Sequence, residues 1–215
     1  MFVGPRMKRD LVTVTPGATL EEAARLLTAH RIHHLPVVEE GSRLAGIVSD
    51  TDLRNATLDG VFGGTDRGDS GRPVTVGEIM TRELVTLSPG DTLDDAMLVL
   101  SRQRIGALPV VEGDRLVGIL TKADILSALL STLDIEGLGV RIEVVLRRDV
   151  KEVARLVAAL ADQDVEVRSL VLALHGADRY AAFVRVATID VASVRERLRE
   201  KGFTVAELSD FYEPR

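Results

Sequence analysis

The sequence contains no cysteine, which excludes disulfide bonds, cysteine-ligated zinc sites and thiol catalysis. Aromatic residues make up only 3% of its 215 residues, so the stacking platforms that bind single-stranded nucleic acid are nearly absent. The net charge is −6 and no basic run stands out, which argues against nonspecific nucleic-acid binding. No apolar run approaches 18 residues, and residues 1–5 contain no signal-peptide core, so we expect a cytoplasmic protein without membrane contact.

The chain does contain one short segment in two copies, Gly46–Asp52 and Gly118–Asp124. Each copy is an apolar, β-prone run that ends in a hydroxyl residue, Ser49 or Thr121, with an aspartate three positions later. A strand that ends there would lead into a helix whose first turn carries unpaired N–H groups. The hydroxyl can bind a phosphate or cap the helix, and the carboxylate can accept two hydrogen bonds from a diol such as a ribose. Two copies predict two clefts of one design.

The similarity around this segment extends over residues 7–57 and 80–129, and nearly half of the aligned positions are identical. Such self-similarity indicates a duplicated structural unit. Thr19 and Thr92 are suited to cap the first helix of each copy. The predicted order of each unit is β-α-β-β-α, which in the first copy corresponds to residues 11–14, 20–27, 35–38, 44–48 and 51–58.

The Leu-Pro-Val-Val strand, at Leu35–Val38 and Leu108–Val111, and the Gly-Ile-x-Ser/Thr-x-x-Asp segment resemble the motifs of the CBS domain. The resemblance covers both copies and implies a tandem CBS-domain pair, or Bateman module, of the α/β (α+β) class. Pairs of this family bind adenosine-containing ligands in clefts between the repeats. We expect CBS domain 1 at residues 1–58 and CBS domain 2 at 76–133, joined by a flexible linker at 59–75 in which Gly, Asp and Ser dominate.

After a short linker at 134–139, the pattern predicts a βαββαβ order over residues 140–210, which is the split-βαβ, ferredoxin-like order. Following a CBS pair, this region resembles an ACT domain, a small-molecule sensing and dimerisation module. The first strand of that family usually runs into a glycine-containing turn that lets the backbone approach an amino-acid ligand, whereas residues 147–151 contain no glycine. We therefore expect an ACT-like domain with a structural or dimerising role rather than an amino-acid site.

The combination of a CBS pair with an ACT-like domain resembles the AcuB family of bacterial acetoin-utilisation regulators. This resemblance implies a non-enzymatic regulatory protein that binds AMP, ADP, ATP or S-adenosylmethionine and controls acetoin or acetyl-CoA-linked carbon metabolism through an unnamed target protein. No nucleophile, base and orienting residue form a catalytic set, so we expect neither catalytic residues nor a catalytic cofactor. CBS modules commonly pair through their helices, and we expect a homodimer.

The resemblance also implies which residues bind the ligand. In the second cleft, Asp124 would bind ribose hydroxyls and Thr121 a phosphate, with Lys122 as an added point charge. The other residues predicted for that cleft are Thr86, Gly106, Ala107, Pro109 and Val110. In the first cleft, Asp50 would repel a phosphate, which favours a neutral or cationic adenosyl ligand, a metal-bridged phosphate or an empty cleft. The residues predicted for it are Thr13, His33, His34, Pro36, Val37, Ser49 and Asp52.

An alternative function stays open at this point. The hydroxyl–aspartate pairs are also suited to cap the helices that follow them. In that case the protein would be a structural dimerisation or scaffold protein with degenerate ligand clefts. His30, His33 and His34 lie close together in the sequence, but a zinc site needs three or four converging ligands, so we expect no metal site.

Overall fold

The computed structural model of the protein describes residues 1–58, 73–135, 137 and 139–207, without the side chains of residues 57 and 58. The chain divides into two compact units, Met1–Ser127 and Ala128–Arg215. Most of the linker predicted at 59–75 lies outside the described residues, as do two positions of the linker predicted at 134–139. The predicted domain boundaries therefore stay predictions.

The first unit repeats one order of helices and strands. In the first repeat, the elements are α1 (Leu20–His30), β1 (His34–Glu39), β2 (Arg43–Ser49) and α2 (Asp50–Leu58). The second repeat begins with a short helix, α3 (Val76–Ile79). It continues with α4 (Leu93–Arg102), β3 (Ala107–Glu112), β4 (Arg115–Thr121) and α5 (Lys122–Thr132).

Threonine caps fix the starts of α1 and α4. Thr19 Oγ1 accepts a hydrogen bond from Glu22 N at 3.2 Å, and Thr92 Oγ1 accepts one from Asp95 N at 3.1 Å. Each bond satisfies one of the N–H groups that a helix start leaves without a partner. The caps predicted from the sequence are confirmed.

The strand predicted at the start of each repeat is shorter than expected. Within the described chain, residues 11–14 form no regular strand, and only Val14 pairs, in parallel, with Val37 of β1. Leu87 bridges Val110 in the same way in the second repeat. The pairing stops after one residue because a Pro-Gly turn follows and directs the chain toward the helix.

The two repeats share one four-stranded sheet with the order β1-β2-β4-β3. Each repeat forms an antiparallel hairpin, and the hairpins meet where Arg43 of β2 pairs with Arg115 of β4. The α1 and α4 helices bury equivalent residues at helical spacing. The fully buried strand residues are also equivalent: Leu35, Val37 and Val48 in the first repeat, and Leu108, Val110 and Leu120 in the second.

A second contact between the repeats occurs twice. Lys8 N donates to Ile119 O at 2.9 Å, and Ile119 N donates to Lys8 O at 3.0 Å. Thr81 and Ile47 exchange the same two bonds, at 2.9 and 3.0 Å. The segment before the first helix of each repeat is therefore anchored to the hairpin of the other repeat, in a pseudo-twofold arrangement.

The second unit has the predicted βαββαβ element order. Its strands form an antiparallel sheet with the order β6-β7-β5-β8, in which β7 separates β5 from β6 as in a split βαβ unit. The last strand, predicted at 203–208, comprises two residues, and residue 208 lies outside the described chain. The elements are β5 (Val140–Arg147), α6 (Val150–Ala161), β6 (Glu166–His175), β7 (Arg179–Ala187), α7 (Val191–Glu200) and β8 (Thr204–Val205).

The core of this unit lies on one face of its sheet. Ile142, Val144 and Leu146 alternate along β5 and are at most 2% exposed. Leu156 of α6 and Leu198 of α7 are fully buried in the same cluster. No helix in the described part of the chain is both long enough and apolar enough to cross a membrane.

Candidate functional site

The strand ends that carry the predicted motif have the same geometry in both repeats. Ser49 N and Oγ donate to Asp52 Oδ2 at 2.7 and 2.6 Å. Thr121 N and Oγ1 donate to Asp124 Oδ2 at 2.9 and 2.6 Å. Each hydroxyl also accepts a hydrogen bond from the backbone N of its aspartate, at 3.3 and 3.2 Å. This is a capping box with aspartate in place of glutamate, so these side chains do cap α2 and α5.

In each aspartate, Oδ2 accepts the capping hydrogen bonds and Oδ1 takes no part in them. Asp52 Oδ1 has no hydrogen-bond or ion-pair partner among the described residues. Asp124 Oδ1 lies 3.5 Å from Lys8 Nζ, and the two side chains are 13% and 57% exposed. Each aspartate can therefore hold its helix with one oxygen and bind a ligand hydroxyl with the other, although Lys8 competes for that oxygen of Asp124.

A cavity of about 340 Å³ lies at the end of β2, between the two repeats. The first repeat contributes His34, Ile47, Ser49, Thr51 and Asp52. The second repeat contributes ten residues, among them Thr81, Glu83, Val85, Arg104, Gly106, Ala107 and Pro109. The carboxylate and hydroxyl therefore come from one repeat, and the opposite wall comes from the other.

The histidines of the first repeat differ in their surroundings. Burial lowers the pKa of His34 below its ordinary value of 6.5, although the carboxylates of Asp50 and Asp52 act in the opposite direction. His33 is exposed, and its Nδ1 lies 3.2 Å from Asp50 Oδ2. Burial alone would raise the pKa of Asp50, but the His33 hydrogen bond and nearby Arg54 together lower it. His33 thus hydrogen-bonds to Asp50, while His34 lines the cavity.

The sequence analysis assigned the predicted ligand-binding residues to a cleft according to their repeat. In the structure, residues of both repeats line one cavity. Three residues predicted for the second cleft line the cavity of Ser49 and Asp52 instead: Gly106, Ala107 and Pro109. The exchange between Thr81 and Ile47 is the physical reason, because it brings the second repeat against the end of β2. Thr121, Lys122 and Asp124 lie at the equivalent end of β4.

Two residues that were predicted to contact the ligand have no exposed surface. Val37 and Val110 are fully buried between their sheet and helices, so neither side chain is available to a bound molecule. Pro36 is also buried, Thr13 is half-buried and Thr86 is exposed. The ligand-binding roles of the other predicted residues stay predictions.

Several cavity residues were missed by the sequence prediction. Thr81, Glu83 and Arg104 line the cavity but lie outside the recognised motifs. Lys8 was missed as well, although the repeat alignment places it opposite Thr81, so a charge difference at that position was visible. Among the described residues, no three His, Asp or Glu side chains converge closely enough to hold a metal ion.

The β5–α6 turn of the second unit is held by internal ion pairs. Arg147 donates to Glu152 Oε1 at 2.7 Å, and Arg155 Nη1 lies 2.8 Å from Glu152 Oε2. The hydrogen bond from Arg147 lowers the pKa of Glu152, and the same bond raises the pKa of Arg147. Arg155 also lies over the ring of Phe203, 4.9 Å from its centroid. These contacts tie the turn to the rest of the unit.

The family to which the chain belongs follows from a sequence comparison. The model of the CBS domain matches residues 3–59 and 76–131, which together are more than half of the chain. The chain belongs to the CBS domain family. The family match ends at residue 131 and does not include β5 to β8 of the second unit, whose ACT-like assignment stays a prediction.

Small CBS proteins and parts of larger enzymes both resemble the chain. It is 35% identical over 119 residues to the CBS domain-containing protein YhcV of Bacillus subtilis, covering 55% of this chain and 79% of that protein. It is also 35% identical over 131 residues to homoserine O-acetyltransferase of Methanohalophilus mahii, but covers only 24% of that enzyme. The similarity to the enzyme is thus limited to a small part of its length.

Solved CBS pairs resemble the first unit, and two of them contain adenosine compounds. The CBS pair of protein MJ0100, in complex with 5-methylthioadenosine and S-adenosyl-L-methionine, is 29% identical, with a TM-score of 0.51. The match covers 60% of this chain and 99% of that one. CBSX2 in complex with AMP is 28% identical, with a TM-score of 0.53, and the match covers 60% and 96% of the two chains.

A third solved structure relates to the predicted pathway. It is a Vibrio cholerae protein assigned to acetoin utilization (AcuB), 29% identical to this chain, with a TM-score of 0.54. The match covers 63% of this chain and 95% of that one. The CBS-pair fold predicted from the sequence is confirmed by these structures.

Proposed function

We propose that this CBS-domain protein is a non-enzymatic regulator that binds adenosine-containing ligands, namely AMP, ADP, ATP or S-adenosylmethionine. The observation that carries the proposal is the cavity between the repeats, where Asp52 and Ser49 face a wall of mixed apolar and polar residues from the second repeat. Its volume of about 340 Å³ falls in the range of small-molecule sites. The adenosine compounds bound by MJ0100 and CBSX2 support this ligand class.

Each wall of the cavity would bind a different part of the ligand. Asp52 Oδ1 would accept hydrogen bonds from the ribose diol, because Oδ2 is already held by Ser49. The base would contact the apolar side chains of Ile47 and Val85. His34 would offer a neutral ring nitrogen, since burial lowers its pKa.

The repeat extends the proposal to a second site around Thr121 and Asp124. By analogy with the observed cavity, its opposite wall would come from the first repeat, at His33 and Pro36, which correspond to Gly106 and Pro109. Occupancy of the sites would favour one conformation of the CBS pair and so act on a target protein. This coupling requires ligand affinities that differ between two conformations.

We also propose an oligomeric state and a metabolic pathway for the protein. We infer a homodimer formed through helices of the CBS pair, because Leu98 of α4 and Leu126 of α5 are 51% and 58% exposed. The ACT-like second unit would have a structural or dimerising role, in keeping with the ion pairs at its β5–α6 turn. A role in acetoin or acetyl-CoA-linked carbon metabolism is supported by the similarity to the Vibrio cholerae protein.

One observation favours a second candidate, a structural dimerisation or scaffold protein with degenerate clefts. The capping boxes of Ser49 and Thr121 account for the repeated motif without any ligand. A scaffold of this kind would form stable oligomers that are insensitive to nucleotides.

Calorimetry with AMP, ADP, ATP and S-adenosylmethionine tests the proposal, after copurified ligand has been removed. We expect at least one of them to bind, and Asp52→Asn to weaken binding at the cavity about tenfold or more by removing a charged acceptor. Asparagine keeps one oxygen for the bond from Ser49 N, so the variant should remain folded. A thermal-shift screen separates the two candidates, because a ligand at 100 times its Kd adds about 2.7 kcal/mol of stability. If none of the four compounds binds or stabilises the protein, the scaffold is the correct function.

A further inference from the structure

The two aspartates have different neighbours at equivalent positions. Lys8 and Thr81 each exchange backbone hydrogen bonds with the hairpin of the other repeat, at Ile119 and Ile47 respectively. They are therefore structural equivalents, and the backbone pairing does not depend on which side chain is present. Only the side chain differs, as an ammonium beside Asp124 and a neutral hydroxyl beside the cavity of Asp52.

A second position differs in the same direction. Lys122 is the first residue of α5, and Asp50 is the first residue of α2. The equivalent residues differ by one unit charge between Lys8 and Thr81 and by two between Lys122 and Asp50. Lys122 and Asp50 both act on His34 at the Asp52 cavity, so Lys8 is the charge that belongs to Asp124 alone. Arg54, 3.6 Å from Asp50 Oδ2, offsets part of the negative charge of Asp50.

The Lys8–Asp124 ion pair makes the difference relevant to binding. A ribose diol that binds Asp124 Oδ1 competes with Lys8 Nζ, which forms an ion pair with that oxygen at 3.5 Å. A nucleoside without phosphate leaves Lys8 without its carboxylate, whereas a nucleotide supplies a phosphate as the new partner. Lys8 is 57% exposed, so it can exchange partners at little cost in burial.

At the Asp52 cavity, no lysine occupies the position equivalent to Lys8. Thr81 occupies the position of Lys8. Glu83 lines the same cavity, but the equivalent residue in the first repeat is Asp10, so this acid does not distinguish the two sites. Arg104 also lines it, but the equivalent residue in the first repeat is Arg31, so this cation does not distinguish the two sites. The Asp50 carboxylate at the start of α2 would repel a phosphate near Asp52, but it would not repel a ligand without phosphate.

On this basis, and building on the proposed function, we propose that the two adenosine sites are sorted by charge. The Asp124 site selects phosphorylated adenosine ligands, and the Asp52 cavity selects adenosine ligands without phosphate, either uncharged or cationic. Lys8 is the residue that determines this specificity.

The test compares AMP with adenosine at one site at a time in the full chain, freed of copurified ligand. In an Asp52→Asn background, calorimetry reports the Asp124 site, where AMP is expected to bind more tightly than adenosine. Adding Lys8→Thr should reduce the AMP-to-adenosine affinity ratio about five- to tenfold. Threonine is the residue that the second repeat carries at this position, so the backbone exchange with Ile119 should persist. Lys8→Arg, which keeps the charge, should leave the ratio in favour of AMP.

The reciprocal arm uses an Asp124→Asn background, in which calorimetry reports the Asp52 cavity. Adenosine is expected to bind there at least as tightly as AMP, and Thr81→Lys should shift the ratio toward AMP by a similar factor. If both compounds bind but neither the Lys8→Thr nor the Thr81→Lys variant changes its ratio, the charge sorting is wrong and the proposed function stands. If neither compound binds the unmodified chain, and ADP, ATP and S-adenosylmethionine do not bind it either, both are wrong.

Discussion

The imidazole ring of His34 lies directly against the backbone of Gly106. A Cβ atom at Gly106 would lie 2.6 Å from His34 Cε1 and 2.7 Å from Nε2. His34 begins β1 of the first repeat and Gly106 directly precedes β3 of the second, so the contact joins the repeats at the cavity wall. Glycine is required here by the close approach of the ring, because protein interiors are too densely packed to accommodate such an overlap.

Gly106→Ala is therefore expected to displace the His34 ring and to destabilise the first unit by about 1–3 kcal/mol, as other overpacked substitutions do. His34→Ala introduces the residue that the second repeat has at the equivalent position, Ala107. The double variant should recover most of the loss, and urea unfolding of the four proteins measures the coupling. Strictly additive effects would show that the ring does not clash with the new methyl group.

Gly46 lies beside the backbone hydrogen bonds between Thr81 and Ile47 that join the repeats. A Cβ atom at Gly46 would lie 2.6 Å from Met80 Sδ and 2.9 Å from Thr81 O. Because the second atom belongs to the backbone that pairs with Ile47, Gly46→Ala should cost about 1–3 kcal/mol of unfolding free energy. Gly17→Ala is the matched control, since nothing lies within 4 Å of its Cβ position. Equal stability of the two variants in urea unfolding would rule out the close approach.

The stability of the first unit should depend on the protonation of His34. Burial holds its pKa below 6.5, with Asp50 and Asp52 raising it and His33 and Lys122 lowering it. The unfolded chain therefore binds more protons near pH 6.5 than the folded chain, and stability should fall as the pH drops from 7.5 to 5.5. Asp50 has a lowered carboxyl pKa, so it titrates below this window.

Urea unfolding at pH 7.5, 6.5 and 5.5 checks this dependence, with His34→Ala as the comparison. The variant lacks the titrating ring and should lose less stability than the unmodified protein over the same interval. Parallel pH profiles of the two proteins would assign the dependence to other groups.

The proposed homodimer can be tested at its two exposed leucines. Burying Leu98 and Leu126 in an interface would contribute about 1.5–3 kcal/mol each, so replacing both with aspartate should convert a dimer to a monomer. Light scattering at micromolar concentration measures the change in mass. Val150→Asp is a control in the second unit, where the side chain is 80% exposed on α6. A monomeric unmodified protein would contradict the proposal directly.

The sequence predicted the elements well where their determinants are local. The caps at Thr19 and Thr92 lie next to the helices that they start, and their hydrogen bonds involve residues three positions away. The duplication strengthened each of these predictions, because the same pattern occurs twice. The prediction of a full strand at residues 11–14 was wrong, because its single bridge, between Val14 and Val37, depends on a partner far along the chain.

The composition of the cavity could not be predicted in the same way. Ser49 and Asp52 were recognised from their motif. The residues that face them across the cavity are brought there by the two backbone hydrogen bonds between Thr81 and Ile47. No local pattern encodes that pairing. The ion pair of Lys8 with Asp124 is equally non-local, although the charge difference behind it is visible in the repeat alignment.

The mutual anchoring of the repeats bears on how such a chain could have arisen. Because the carboxylate and the facing wall of the cavity belong to different halves of the duplicated segment, a single half could not enclose this space by itself. A shorter ancestor with one half would have needed two molecules to meet before any such pocket existed. Joining the halves in one chain makes that encounter permanent, and it allows each half to carry its own residue at the position of Lys8 or Thr81.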